Sequence, residues 1–277
     1  MPQDSATPAR PQAGTRPQAG ARAHVTAAVL AGGVGARMGG GSPKQLLPLA
    51  GRPVLEHALA AFCAAPEVDD VIVLMVPEHL DEAREIADRT CPDRVSAVLP
   101  GGADRTATSA AALRALEHRG DDDLVLLHDA ARPLVTPEVI GRCVGALAEA
   151  DAVGVAVPAG DTVVEIAPDS GGAEVLRNVP PRASLRRMQT PQGFRLGVVR
   201  EAYRRALAAP GLAATDDCGV VLDYLPDAQV RIVPGDESNI KVTNPGDVEI
   251  AETLMRVRGG PVAGPPRDGE RHQEARG

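Results

Sequence analysis

Apolar positions along this chain alternate between two patterns. Val25–Leu30, Val71–Val76 and Leu124–Leu127 are short, nearly unbroken apolar runs, as expected of strands buried on both faces. Between them, apolar residues recur at helical spacing. In Val54–Phe62 the side chains of Leu55, Leu59 and Phe62 share one face. Glu78–Arg89 reads as a charged surface helix, Thr106–Arg119 as an Ala-rich one, and Pro137 opens a helix running to about Ala150, proline being well suited to a first helical turn. Val95–Leu99 adds a short strand. The alternation predicts an α/β fold with a mostly parallel, doubly wound sheet. Such sheets bind ligands beyond the carboxyl ends of their strands, and Gly32–Gly41 and His128–Pro133 fall at two such ends.

Residues 153–190 break the rhythm. Val153–Val157 and Glu174–Val179 read as strands with turn-rich Asp169–Gly172 between them, which predicts a hairpin projecting from the sheet. The α/β pattern resumes with helix Val198–Ala209, strand Val230–Val233 and helix Pro245–Arg258. One domain is therefore expected over residues 24–258, with an arm at about 153–190. Residues 1–23, in which R-P-Q-A-G occurs twice, and residues 259–277 lack large apolar groups. Both are expected to be disordered tails.

Composition narrows the function. The 277 residues include no Trp, two Tyr and two Phe, so the core must be built from Val, Leu, Ile and Ala. A formal net charge of −8 argues against general binding to nucleic acid or a membrane surface. A phosphate ligand would need a local cationic pocket. Only two of the 29 cationic residues are lysines, Lys44 and Lys241, and both sit in phosphate-binding context. Lysine offers a compact point charge where arginine offers a planar fork. Cys63, Cys91, Cys143 and Cys218 form no C-x-x-C pair and no metal-ligand spacing. They read as reduced thiols of a cytoplasmic protein. No secretory signal is visible, and the longest strongly apolar run is too short to cross a bilayer.

Two motifs carry chemistry. In L-A-G-G-V-G-A-R-M, from Leu30 to Met38, the glycines let backbone N–H groups approach a phosphate chain. It is not a dinucleotide fingerprint, because the expected third glycine is Met38, nor a P-loop, because no Ser or Thr follows Lys44. Arg37 and Lys44, seven residues apart, put two cations on one triphosphate. In H-D-A-A-R-P, Asp129 ends a strand where it can hold Mg²⁺ against phosphates. His128 reads as structural, since Mg²⁺ prefers oxygen. Gly101–Arg105 with Thr108, the pair Asp161-Thr162, and the stretch from Arg182 to Gln192 are weak signals singly; Thr-Pro-Gln alone reads as a loop.

Taken in order, A-G-G-V-G-A-R-M, P-K-Q, G-G-A-D-R, H-D-A-A-R-P, D-T, Arg182, Q-T-P-Q and N-I-K-V-T make residues 25–256 resemble the 2-C-methyl-D-erythritol 4-phosphate cytidylyltransferases of the non-mevalonate isoprenoid pathway. The resemblance implies a Rossmann-like nucleotidyltransferase fold whose β-arm embraces a twofold partner, hence a homodimer. It implies CTP and a polyol phosphate as substrates, with Mg²⁺ or a similar divalent cation. It assigns Arg37 and Lys44 to the α-phosphate transition state, and Ala31, Gly32, Gly33, Gly35 and Ala130 to the nucleotide. Gly102 and Thr108 fall on the cytosine side, and Thr162, Arg182 and Lys241 on the acceptor phosphate, the first two reaching across from the partner. Asp129 is the metal ligand, with Asp236 or Glu237 as the second carboxylate. The acidic residue usual after the second glycine of the G-G loop is here Ala103, with Asp104 next, and the basic residue usual after D-T is Val164. The reaction would need no general base. Another polyol phosphate such as ribitol 5-phosphate, or a nucleotide-binding regulator without catalysis, are the competing readings.

Overall fold

The computed structural model describes residues 22–33, 43–209 and 216–259. Arg37, Gly35 and nearly all of the two expected tails lie outside the described residues. Seven strands form the central sheet: β1 (Val25–Ala31), β4 (Asp70–Met75), β5 (Val95–Pro100), β6 (Leu124–Asp129), β7 (Ala152–Pro158), β10 (Arg186–Arg195) and β11 (Val230–Pro234). Their order is β11-β7-β10-β6-β1-β4-β5. All neighbours are parallel except β10, which runs antiparallel to both β6 and β7. Strands β2 (Pro48–Leu49) and β3 (Arg52–Pro53) form a two-residue hairpin beside it.

Helices α1 (Val54–Ala64), α2 (Leu80–Thr90) and α4 (Pro137–Ala146) cover one face of the sheet, and α3 (Arg105–Ala115), α5 (Leu196–Ala208) and α6 (Asp217–Tyr224) the other. Each strand can therefore be apolar on both sides. Val25, Ala27 and Val29 pack with Leu55, Leu59 and Phe62, while Ala28 and Leu30 pack with Leu113, Phe194 and Tyr203. Helix α7 (Gly246–Val257) closes a smaller cluster with Leu49, Val54, Leu134 and Val242.

The chain builds β1, β4 and β5 outward in one direction, then crosses back to place β6 on the other side of β1. The switch point thus lies between β1 and β6, with Leu30 opposite Asp129 at its carboxyl edge. A crevice opens where consecutive connections leave in opposite directions.

Three features differ from the sequence expectation. Val153–Val157 belongs to a central strand, and the projecting hairpin is made by β8 (Glu165–Pro168) with β9 (Glu174–Asn178). The Thr-Pro-Gln segment is not a loop but part of β10, whose pairing with β7 skips between Gln189 and Gln192. The skip accommodates Pro191, which has no N–H to give a ladder. Finally, Cys63 and Cys91 are joined in a disulfide with Cα atoms 6.3 Å apart, because α1 and α2 pack with their carboxyl ends together. Only Cys143 and Cys218 are free thiols, and both are buried.

Candidate active site

Where β1 ends, Gly32 lies so close to helix α3 that a Cβ on it would fall 2.5 Å from Thr108 Oγ1. A Cβ on Gly102 would likewise fall 2.4 Å from the Cβ of Ala107. Backbone, helix and loop pack directly against one another here, which only glycine permits at these two positions. Thr108 is 1% exposed. Its hydroxyl donates to the Asp104 carbonyl at 2.7 Å and accepts from the Gly102 N–H at 3.1 Å. Asp104 itself caps α3, accepting from the Ala107 N–H at 2.7 Å. The displaced acidic residue of the G-G loop thus has a structural task.

Lys44 opens a turn of 3-10 helix, Lys44–Leu46. The neighbouring Gln45, last of the P-K-Q string, is a site residue that the sequence does not mark. Its Nε2 donates to the carbonyls of Ala31 at 2.6 Å and Gly33 at 2.9 Å, clamping the start of the glycine loop to the residues after it. A glutamine directly after the lysine that closes the glycine run was the available signal.

Asp129 lies at the centre. Its Oδ1 meets Arg105 Nε at 2.9 Å and its Oδ2 meets Lys241 Nζ at 2.7 Å. Burial opposes its charge, but the Arg105 and Lys241 cations outweigh this and hold the carboxyl group below the usual carboxylate range. Two clefts share these three residues. One is lined on the loop side by Gly32, Gly33, Lys44, Gln45 and Thr108. The other is lined by Arg132, Gln189, Thr190, Gln192 and Asp216. The arrangement can hold two phosphate groups side by side across one ionic cluster. Ala130 is buried, and its N–H bonds the Leu30 carbonyl at 3.0 Å, joining the two strand ends.

Residues around Asp129 are fixed from below. His128 is fully buried, with Nε2 3.1 Å from the Arg132 carbonyl and Nδ1 3.0 Å from Thr190 Oγ1. A carbonyl only accepts, so Nε2 carries the proton and Nδ1 accepts from the hydroxyl. Burial pushes the His128 pKa down to about 4, so the ring is neutral and structural. Thr190 Oγ1 in turn accepts the Asp129 N–H at 3.1 Å. Arg132 donates to the carbonyls of Asn239 and Met188. Arg105 and Arg132 lie inside G-G-A-D-R and H-D-A-A-R-P, where nothing local in the sequence distinguishes them from the chain's other arginines.

Three expected residues are not brought here. Thr162 and Arg182 lie exposed on the arm segment, with Arg182 donating to the Gly160 carbonyl at 3.3 Å. Asp236 turns away: its Oδ2 pairs with Arg258 at 2.7 Å and its Oδ1 accepts from the Ser238 N–H at 2.8 Å. Glu237 pairs with Arg187. Among the described residues no three His, Cys, Asp or Glu gather as a closed metal site. A Mg²⁺ that arrives with a nucleotide needs only one or two carboxylates, with phosphate and water completing its shell. Asp129 at the cleft floor fits that demand, provided the metal takes over a contact now made by Arg105 or Lys241.

A glycine loop and a shared ionic cluster, meeting at the switch point of a doubly wound sheet, define an enzyme of the nucleotidyltransferase class. Residues 25–257 match the family model described as 2-C-methyl-D-erythritol 4-phosphate cytidylyltransferase. The chain is 61% identical over 236 residues to the 2-C-methyl-D-erythritol 4-phosphate cytidylyltransferase of Thermobifida fusca (strain YX), covering 85% of this chain and 95% of that one. It is 38% identical over 230 residues to a bifunctional ribulose 5-phosphate reductase/CDP-ribitol pyrophosphorylase of Haemophilus influenzae, covering 83% of this chain but 48% of that one. The solved 4-diphosphocytidyl-2C-methyl-D-erythritol synthase of Anaerococcus prevotii DSM 20548 superposes with a TM-score of 0.72 at 27% identity, covering 84% of this chain and 96% of that one. The chain belongs to the 2-C-methyl-D-erythritol 4-phosphate cytidylyltransferase family.

Proposed function

We propose that this chain transfers CMP from CTP to 2-C-methyl-D-erythritol 4-phosphate, giving 4-diphosphocytidyl-2-C-methyl-D-erythritol and pyrophosphate. The observation that carries the reading is the pair of clefts sharing Arg105, Asp129 and Lys241. CTP occupies the glycine-loop cleft, with Ala31, Gly32, Gly33 and Gly35 along its phosphates and Gly102 and Thr108 towards the base. The acceptor occupies the cleft beside β10. An oxygen of its phosphate, largely dianionic at neutral pH with a second pKa near ~6, attacks the α-phosphorus in line. The bond from that phosphorus to the bridging oxygen breaks, and pyrophosphate leaves with the electron pair. No proton need be removed from the nucleophile, which agrees with the neutral, buried His128.

Catalysis is then positioning and charge stabilisation. Arg37 and Lys44 face the charge that gathers on the α-phosphate. Lys241 leaves Asp129 and aligns the acceptor. A Mg²⁺ ion or similar divalent cation on Asp129 supplies further neutralisation of the triphosphate when bound. Asp236 or Glu237 would supply the second carboxylate, giving up its present contacts with Arg258 and Ser238 or with Arg187.

We also propose a homodimer in which Thr162 and Arg182 complete the partner's acceptor site. Val163, Val164, Ile166, Leu176 and Val179 on the arm are all more than two-fifths exposed. Such an apolar arm calls for a covering surface. A cytoplasmic location follows from the nucleotide substrate rather than from the cysteines. No helix among the described residues is long and apolar enough to cross a membrane.

Pyrophosphate release with CTP and a panel of polyol phosphates tests the reading. The expected result is a kcat/KM for 2-C-methyl-D-erythritol 4-phosphate well above that for ribitol 5-phosphate. The reverse order would move the chain to the ribitol reading that the Haemophilus influenzae relative represents.

A further inference from the structure

Behind the ionic cluster lies a carboxylate that the transfer reaction does not touch. Asp217, the first residue of α6, is fully buried and lines neither cleft. Its Oδ1 accepts from the Tyr203 hydroxyl at 2.5 Å. Its Oδ2 lies 2.8 Å from Arg105 Nη2. That second contact is off the hydrogen-bonding direction, so the attraction between charges carries it. Gln192 Oε1 accepts the N–H groups of both Asp217 and Cys218 at 3.0 Å, which fixes the start of the helix. Arg105 is thereby stretched between two carboxylates, with Nε on Asp129 and Nη2 on Asp217.

A buried carboxylate is costly unless a cation and hydrogen bonds offset it. Here the offset comes from the same guanidinium that borders both clefts. We propose that Asp217 is a positioning residue that acts through Arg105 on Asp129. It holds part of the guanidinium's charge away from Asp129, and so leaves the Asp129 carboxylate able to accept a divalent cation when the nucleotide arrives. Without Asp217, Arg105 would settle wholly on Asp129 and compete with the metal. The planar fork of arginine makes this division possible, because two nitrogens can serve two acceptors at once. Tyr203, reaching from α5, holds Asp217 in its rotamer.

This inference rests on the cytidylyltransferase reading, and its test separates the two. The Asp217→Asn variant keeps the shape of the side chain and removes its charge. Mn²⁺ binding in the presence of CTP is followed by the electron paramagnetic resonance of free Mn²⁺, and CTP binding in EDTA by calorimetry. Partners of a metal ligand commonly change metal affinity by about 10–100-fold when altered. Asp217→Asn should therefore weaken Mn²⁺ binding by about tenfold or more. Metal-free CTP should bind as well as before or better, since a negative charge has gone from behind the triphosphate site. A structural role alone would weaken both together, and that result overturns the proposal. So does Mn²⁺ binding within about threefold of the wild type, a change too small for such a partner. Tyr203→Phe keeps the carboxylate's charge and should lie between the two proteins. If Asp217→Asn does not fold, Arg105→Lys is the second test: it replaces the two-nitrogen fork with one nitrogen on a shorter side chain, which removes the fixed division between the carboxylates, and an unaltered Mn²⁺ affinity refutes the division of charge. Failure of the wild-type protein to bind CTP at all would instead count against the cytidylyltransferase reading itself.

Discussion

Lys44 was legible as one of only two lysines, placed just after a glycine-rich run, and Asp129 as a carboxylate ending an apolar run in a short polar motif. Arg105 and Asp217 were not, because a buried ion pair joining α3 to α6 leaves no local pattern. Lys44→Ala and Arg37→Ala should each lower turnover by about 10²–10³, the usual effect of removing one preorganised charge donor, while circular dichroism stays unchanged. Near-normal turnover would take the residue out of the mechanism. His128 gives a pH dependence of stability. Its pKa is near 4 in the fold, against 6.5 ordinarily, so below pH 6.5 the unfolded chain takes up a proton that the folded one refuses. Stability should fall as pH drops from 6.5 towards 4 and then level off for this group. The loss should be about 2 kcal/mol at pH ~5. Urea unfolding of metal-free protein measures it, and His128→Asn should flatten the slope over that window. An equal slope in both proteins would mean that His128 takes up a proton in the fold as readily as in the unfolded chain.

Among the elements, the buried strands and most helices could be read from periodicity, usually within a residue or two at the start. The helix expected to run to Ala150 stops at Ala146, however. Strand β10 could not be read, since R-R-M-Q-T-P-Q-G-F-R has neither alternation nor an apolar run and contains a proline. Its partners on both sides, β6 and β7, supply the order that its own sequence does not. The β8–β9 hairpin tests the sharing of sites between subunits. Arg182→Ala and Lys44→Ala proteins should each be nearly inactive alone. After subunit exchange, a hybrid dimer has one doubly defective site and one intact site, so up to half of wild-type activity per hybrid should return. If hybrids form and activity does not return, Arg182 acts within its own chain. Ile166→Glu with Leu176→Glu should release monomers in sedimentation experiments, since both side chains are more than half exposed on the arm.

For the whole molecule, strand order was beyond reach of the sequence, yet the site's location was not. Glycines after β1 and a carboxylate ending β6 both pointed to the carboxyl edge, and the crossover from β5 back to β6 makes that edge a crevice. The disulfide shows the opposite case, since spacing along the chain says nothing about two helix ends that meet in space. The central claim is that two substrates meet across Asp129 and react phosphate to phosphorus. It is tested most directly by ³¹P nuclear magnetic resonance of the protein with CTP, Mg²⁺ and 2-C-methyl-D-erythritol 4-phosphate. The predicted result is a new pair of coupled diphosphate-diester signals growing in step with pyrophosphate, and both growing about 10²–10³ times more slowly with Lys44→Ala protein. CTP consumed without a diester, or a diester that forms only with a different polyol phosphate, would contradict the account.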